Sequence, residues 1–257
     1  MGMFANLKRT DDMAESTDYL GGSFLLDSDI YKATVVSAYA DRFKSGAQYI
    51  QLKLKVTKED GSTQDYSERL TVTNKQGLVY YKGKDGKNHA LPGYELFEDL
   101  CLLTVGKLPS ELDTEKKVLP IYNKDAQKEV PTECDCITEL FGQEIFAGIV
   151  NVRKNKQVAD ASGNYINSKD EQNVNELRKF FHPDYKSTVV EMRKLQASGG
   201  NVESLQPDFY NKWLDKNKGK VIDLYKEVVG GGSSAGFGGT TSSSGSASNM
   251  VFGRRSA

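Results

Sequence analysis

The sequence predicts an α+β protein in which an antiparallel, β-barrel-like body comes first and a small helical region follows. Between about residues 30 and 74, apolar and polar side chains alternate, which is the period of a strand with one buried and one wet face. Beyond Ser168 the apolar spacing changes to three or four residues, which is typical of amphipathic helices. Strands followed by helices indicate an α+β architecture.

The first three predicted strands form an antiparallel meander. Residues 30–39 are rich in β-branched side chains, residues 49–56 alternate strictly, and the third strand covers residues 63–73. The turn at 59–62 (Glu-Asp-Gly-Ser) favours a hairpin, because Asp and Gly tolerate positive φ.

The middle of the chain combines a polar stretch, a helix and further strands. Residues 74–90 are polar and glycine-containing, and residues 94–104 place their apolar side chains on one helical face. A short hairpin is predicted over 118–130. A long strand is predicted over 144–154, with Gly163-Asn164 turning the chain back.

Four short helices are predicted in the later part. Ser168-x-x-Glu171 has the spacing of a capping box, and the apolar stripe that follows it stops at Pro183. Thr188-x-x-Glu191 repeats that spacing. Two more amphipathic pieces are predicted around 209–216 and 221–228.

The chain divides into an N-terminal extension (1–20), a β-rich domain (21–168), a helical region (169–229) and a tail (230–257). The tail holds eight Gly and eight Ser with no Asp, Glu or Lys, so it is predicted to be disordered. It is interpreted either as a cloning remnant or solubilising tail, or as a tethered docking peptide. The docking residues would be Phe252, Arg254 and Arg255.

Composition excludes several functional classes. The 34 basic and 35 acidic side chains give a net charge of −1, which excludes a histone-like polycation. No run of 18 apolar residues is present, so no membrane span is predicted. The N-terminus lacks the apolar core of a signal peptide, so export is not predicted.

No enzyme, metal site or cofactor is predicted. The sequence holds none of the common nucleophile, phosphate-loop or zinc-protease motifs, and His89 and His182 have no partner at metal-ligand spacing. Cys134-x-Cys136 lacks the two-residue spacer of a zinc knuckle, so two small buried residues on a strand are favoured there. Scattered carboxylates leave a metal-dependent nuclease as an open alternative.

Three cationic stretches suggest binding of single-stranded nucleic acid, with an ordinary solvated surface as the alternative. Residues 42–55, 74–90 and 151–156 carry +4, +3 and +3, and aromatic residues lie among the first two. A single strand offers phosphates to cations and unstacked base faces to aromatic rings. The predicted contacts are Arg42, Lys44, Tyr49, Lys53, Lys55, Arg69, Lys75, Tyr80, Tyr81, Lys82, Lys84, Lys87, Arg153, Lys154 and Lys156.

Six sequence blocks, in order along the chain, carry a resemblance to a known family. They are 25–33 (LLDSDIYKA), 68–81 (ERLTVTNKQGLVYY), 91–104 (LPGYELFEDLCLLT), 128–133 (KEVPTE), 141–149 (FGQEIFAGI) and 211–220 (NKWLDKNKGK). Together they resemble the single-stranded DNA-binding proteins of lytic, short-tailed phages that carry an RNA polymerase in the virion. The resemblance covers about residues 11 to 220, and no single block is a functional fingerprint.

The resemblance implies roles in DNA replication and recombination, in the cytoplasm of an infected bacterium. It also implies an OB-like barrel with an inserted helix, by analogy with other single-strand binders. The C-terminal end would contact phage replication proteins or the host RNA polymerase. A non-enzymatic adaptor that recruits a polymerase through this tail, with DNA binding secondary, is the rival interpretation.

Overall fold

The computed structural model describes residues 25–123, 126–159, 165–201 and 204–228. The N-terminal extension and the tail lie outside these ranges, so the expectations for both remain predictions. The same holds for the tail's docking residues Phe252, Arg254 and Arg255, and for the turn at Gly163-Asn164.

The described residues form ten β-strands and three α-helices. The strands are β1 (Asp29–Arg42), β2 (Gln48–Thr57), β3 (Thr63–Thr71), β4 (Tyr80–Lys82), β5 (Asn88–Ala90), β6 (Glu115–Asn123), β7 (Lys128–Cys136), β8 (Glu144–Ala159), β9 (Tyr165–Phe181) and β10 (Val221–Asp223). The helices are α1 (Pro92–Thr104), α2 (Val189–Ala197) and α3 (Asp208–Asn217). None of them combines the length and apolar character needed to cross a lipid bilayer.

Eight strands form one mostly antiparallel sheet, and β4 pairs with β5 as a separate hairpin. The body of the sheet has the order β3-β2-β1-β8-β9. The β6–β7 hairpin joins through β7 to the C-terminal half of β1, and β10 joins β8 in parallel. The predicted meander, the hairpin near residue 123 and the helix before residue 104 are therefore confirmed.

The main core lies between the inner faces of these strands and α1. On β2 every second residue is buried, namely Ile50, Leu52, Leu54 and Val56, as the alternation predicted. Burial of one such aliphatic side chain stabilises the fold by about 1.5–3 kcal/mol. Helix α1 adds Phe97, Leu100 and Leu103 to this core.

The barrel-like body is not closed, since β3 and β9 are not hydrogen-bonded neighbours in the described sheet. Helix α1 packs on both strands at this gap. The Glu68 carboxylate of β3 spans the gap by accepting a hydrogen bond from the backbone N–H of Leu177 on β9, at 3.1 Å. It also accepts one from the Tyr66 hydroxyl. Burial raises the pKa of the Glu68 carboxyl above its usual value.

Two predicted helices are wrong. Residues 165–181 form strand β9 rather than a helix beginning at Ser168, and residues 221–223 form β10. Strand β9 has apolar residues on both faces, because Leu177 and Phe180 enter the main core while Phe181 and Val174 pack beneath α3. The capping box at Thr188 is confirmed: its hydroxyl accepts a hydrogen bond from the Glu191 N–H at 3.2 Å.

Candidate nucleic-acid interface

The outward side of β1, β2 and β3 carries polar and aromatic side chains and is called the open face. It is defined by Tyr49, Gln51, Lys53 and Arg69. The strand register aligns Tyr39, Gln51 and Arg69 in one row across the three strands. These residues alternate with core residues along each strand, so the period of the sheet places them on one surface.

Arg69 lies over two aromatic rings at one end of the open face. Its guanidinium carbon is 4.6 Å from the centre of the Tyr49 ring and 5.7 Å from that of Phe43. The two rings are themselves 4.5 Å apart, tilted by 44°. The Arg69 Nε donates a hydrogen bond to the Gln51 amide oxygen at 3.3 Å. The result is a planar cation fixed above an aromatic pair and facing solvent.

Tyr49 is the lower layer of this stack rather than a free stacking surface. Only 7% of it is exposed, and its hydroxyl donates to the Asp41 carboxylate at 2.6 Å. Burial, with the Asp41 hydrogen bond second, raises the pKa of Tyr49 to about 12. A base reaching this end of the face therefore meets Arg69 and the half-buried Phe43 before it meets Tyr49.

A tight turn between β1 and β2 brings further cations beside the stack. The Phe43 N–H donates to the Ala47 carbonyl, and the Gly46 N–H donates back to the Phe43 carbonyl. Gly46 has φ +89°, a conformation that favours glycine, and a Cβ there would lie 3.8 Å from the Lys75 carbonyl oxygen. The turn that carries Arg42 and Lys44 thus lies against the segment that carries Lys75.

The β4–β5 hairpin holds the predicted contacts Tyr80, Tyr81, Lys82, Lys84 and Lys87. It is joined to the same region, because the Asn74 amide donates to the Tyr80 carbonyl at 3.4 Å. Tyr81 is 49% exposed, whereas Tyr80 is partly buried. The three lysines are exposed at the tip and along the edge of the hairpin.

The third predicted cationic group lies on β8, away from the turn at Gly46. Asp29, the first residue of β1, pairs with Ile149 of β8, and Arg153 lies four residues beyond Ile149 on β8. Arg42 is the last residue of β1. Arg42 and Asp29 are thus roughly 40 Å apart along the strand. The β8 cations therefore lie near the start of β1, at the opposite end of that strand from the Gly46 turn. They are Arg153, Lys154 and Lys156.

The cations also differ in whether an acid already neutralises them. Arg153 forms ion pairs with Glu171 and Asp223, and Lys154 pairs with Glu176 at 2.8 Å. On the open face, Lys53 pairs with Asp65 at 2.9 Å. Within the described ranges, the remaining predicted cations have no carboxylate within 4 Å: Arg42, Lys44, Lys55, Arg69, Lys75, Lys82, Lys84, Lys87 and Lys156.

The cysteines lie in the fold interior. Cys134 and Cys136 are buried on β7 beside Tyr39, and Cys101 is buried in α1. Burial raises the pKa of all three thiols, with that of Cys101 near 12. Among the described residues, no group of three or more His, Cys, Asp or Glu side chains is arranged to hold a metal ion.

Phe43, Gln51 and His89 occupy the candidate interface but were not predicted as contacts. Phe43 lies in the turn between two strands, where strand alternation gives no direction for its side chain. Gln51 carries no charge, so a search for cations and rings passes over it. His89 follows Asp85 by four residues, and only the hairpin fold places the two side chains in contact.

A scan against protein-family models and a search of curated proteins both return no match to the chain.

Proposed function

We propose that the protein is a single-stranded DNA-binding protein whose open face and β4–β5 hairpin contact the nucleic acid. The observation that carries the proposal is the stack of Arg69 on Tyr49 and Phe43 beside unpaired cations. Guanidinium and aromatic planes stack on bases of any sequence, while lysine and arginine neutralise the phosphates between them.

The strand order supports an OB-like arrangement. In that fold five strands form a partly open barrel, and the face of strands 2 and 3, with the loop between strands 1 and 2, binds oligonucleotides. Here β3-β2-β1-β8-β9 has the corresponding order, and α1 packs at the gap between β3 and β9. The Arg69 stack lies on the β2–β3 face, next to the β1–β2 turn.

The side chains favour binding without base readout. Both ends of the Gln51 amide are already used, since it accepts from Arg69 and donates to the Glu68 carbonyl at 3.2 Å. The phenol of Tyr49 is used by Asp41. Stacking and phosphate contacts therefore remain as the main interactions, and neither depends on the base sequence.

The test compares a labelled oligo-dT of about 20 nucleotides with a duplex of the same length by fluorescence anisotropy. Oligo-dT is expected to bind more tightly, with log K falling linearly with log salt by about 0.7 for each phosphate neutralised. Equal affinity for duplex, or affinity that does not change with salt concentration, contradicts the proposal.

The nuclease alternative is tested by adding Mg²⁺ to the same oligonucleotide. The oligonucleotide is expected to remain intact, and its degradation would favour a nuclease.

Deletion of residues 230–257 distinguishes the adaptor interpretation from the proposed DNA-binding function. Because the proposed contacts lie within residues 42–90, oligo-dT affinity should survive this deletion largely unchanged, whereas capture of a partner through the tail should be lost. Loss of oligonucleotide binding in the shortened chain would instead place the main nucleic-acid contacts in the tail.

A further inference from the structure

The β4–β5 hairpin contains a second pair of stacked rings, separate from the Arg69 stack. Tyr81 on β4 faces His89 on β5, with the ring centres 5.7 Å apart and the planes inclined by 29°. Tyr81 remains 49% exposed. One side of the phenol ring is therefore supported by an imidazole while much of the residue faces solvent.

His89 is itself held in place by the turn of the hairpin. Its Nε2 lies 2.9 and 3.0 Å from the two carboxylate oxygens of Asp85. Asp85 in turn accepts the backbone N–H of Lys87 at 3.1 Å. The ring also lies close over Gly83, where a Cβ would approach His89 Cδ2 to 2.5 Å. Any larger residue at position 83 would push the imidazole aside.

We propose that His89 is a positioning residue for DNA binding, which supports Tyr81 as a surface on which a base stacks. The inference rests on the proposed function and adds a residue to it. A ring that is already packed against its neighbour loses less side-chain freedom when a base stacks on it, which favours binding.

The experiment measures oligo-dT affinity for the full chain and two His89 variants. His89→Phe keeps a supporting ring beside Tyr81, so it should retain the wild-type affinity. His89→Ala should bind about two- to tenfold more weakly, because an unsupported Tyr81 ring has to be immobilised on binding.

His182 provides the matched control, since the chain contains only two histidines. Its Nδ1 accepts the N–H groups of Asp184 and Tyr185 outside the hairpin, which an asparagine side chain can also do. His182→Asn should therefore keep the wild-type affinity for oligo-dT. Circular dichroism of each variant shows whether the fold is retained.

Two results would overturn the inference and leave the proposed function standing. One is unchanged oligo-dT affinity of folded His89→Ala. The other is an equal loss of affinity in His89→Phe and His89→Ala, which would show that a supporting ring is not what His89 contributes. Absence of oligo-dT binding by the wild type would instead overturn the proposed function itself.

Discussion

The two outward faces of the sheet differ in what lies on them. The outward side of β8, β9 and the start of β1 is here called the covered face, because α3 packs on it with Trp213 above Ile30, Val150, Val152 and Phe181. The open face of β1, β2 and β3 carries Arg69 and Lys53 in the corresponding outward positions. One face is thus a second small core, while the other presents charge to solvent.

The difference follows from the side chains available to each strand. Trp213 can approach β8 closely because Gly148 has no side chain, and a Cβ there would lie 3.0 Å from the indole Cζ2. On the open face, β2 presents Gln51, Lys53 and Lys55 outward, and burying such groups without partners is unfavourable. The covered face therefore stabilises the fold, and the open face is free to bind a ligand.

The largest expected effect is loss of stability at the covered face. Trp213→Ala should lower the free energy of unfolding by about 3–5 kcal/mol, because it leaves a cavity beneath α3. Urea unfolding followed by circular dichroism measures it. The control is Phe209→Ala on the same helix, whose side chain is 44% exposed and should contribute far less. Similar losses for the two variants would contradict the assignment of Trp213 as the side chain that anchors α3 to the covered face.

Glu68 joins β3 to β9 between the two faces, and Glu68→Ala should cost about 1–3 kcal/mol. The alanine leaves the Leu177 N–H and the Tyr66 hydroxyl without their acceptor. Glu68→Gln retains an acceptor oxygen and should be much milder. Equal losses for both variants in urea unfolding would show that the acceptor role is unimportant.

The same residue gives a pH prediction with a definite sign. The folded-state pKa of Glu68 lies above its ordinary value, so the folded state binds the proton more tightly than the unfolded state does. Its contribution to stability is present below the ordinary carboxyl pKa and is lost as the pH rises through the folded-state pKa. As the pH rises through this range, the free energy of unfolding of the wild type should therefore fall relative to that of Glu68→Gln. Parallel profiles of unfolding free energy against pH for the two proteins would contradict this.

Arg69→Ala should affect binding at the open face with little change in stability. Loss of the guanidinium plane is expected to weaken oligo-dT binding by about 1–2 kcal/mol, or roughly 5- to 30-fold. Arg193→Ala, which removes an exposed arginine of α2, is the matched control. If both variants bind equally well, the stack does not contribute to binding.

The smallest expected effect concerns the paired cations of β8. Arg153→Ala should weaken oligo-dT binding less than Lys75→Ala, because Glu171 and Asp223 already neutralise Arg153 whereas Lys75 is unpaired in the described chain. Exposed ion pairs contribute about 0–1 kcal/mol, so stability should change little. A larger binding loss for Arg153→Ala than for Lys75→Ala would show that the interface extends along β8, as the charge pattern predicts.

Much of the fold was predictable where a strand has one buried and one wet face. The alternation over 49–56 gave β2 and its inward residues correctly, and the Asp-Gly turn gave the hairpin to β3. Strand β9 was missed because its C-terminal part has apolar residues on both faces. A bulge opposite Gly148 shifts its register, so Val174, Leu177 and Phe181 mimic a helical stripe.

The candidate site was predictable in composition and only partly in geometry. Charge counting found the lysines of the turn and the hairpin, but it weighted Lys75 and Arg153 equally. Their different pairing depends on acids far away in sequence, since Asp223 is 70 residues from Arg153. Tyr49 was predicted as a stacking ring, and its position beneath Arg69 depends on the register between β2 and β3.

The sequence by itself determined the local features: strand alternation, turn residues, the Thr188 cap and the cationic, aromatic composition of residues 42–90. These depend on neighbours within a few positions, and that range is visible in the chain. The tertiary structure decided which face α3 covers, which cations find an acid and which rings lie together. Those outcomes depend on strand register and packing between distant segments, which local periodicity does not encode.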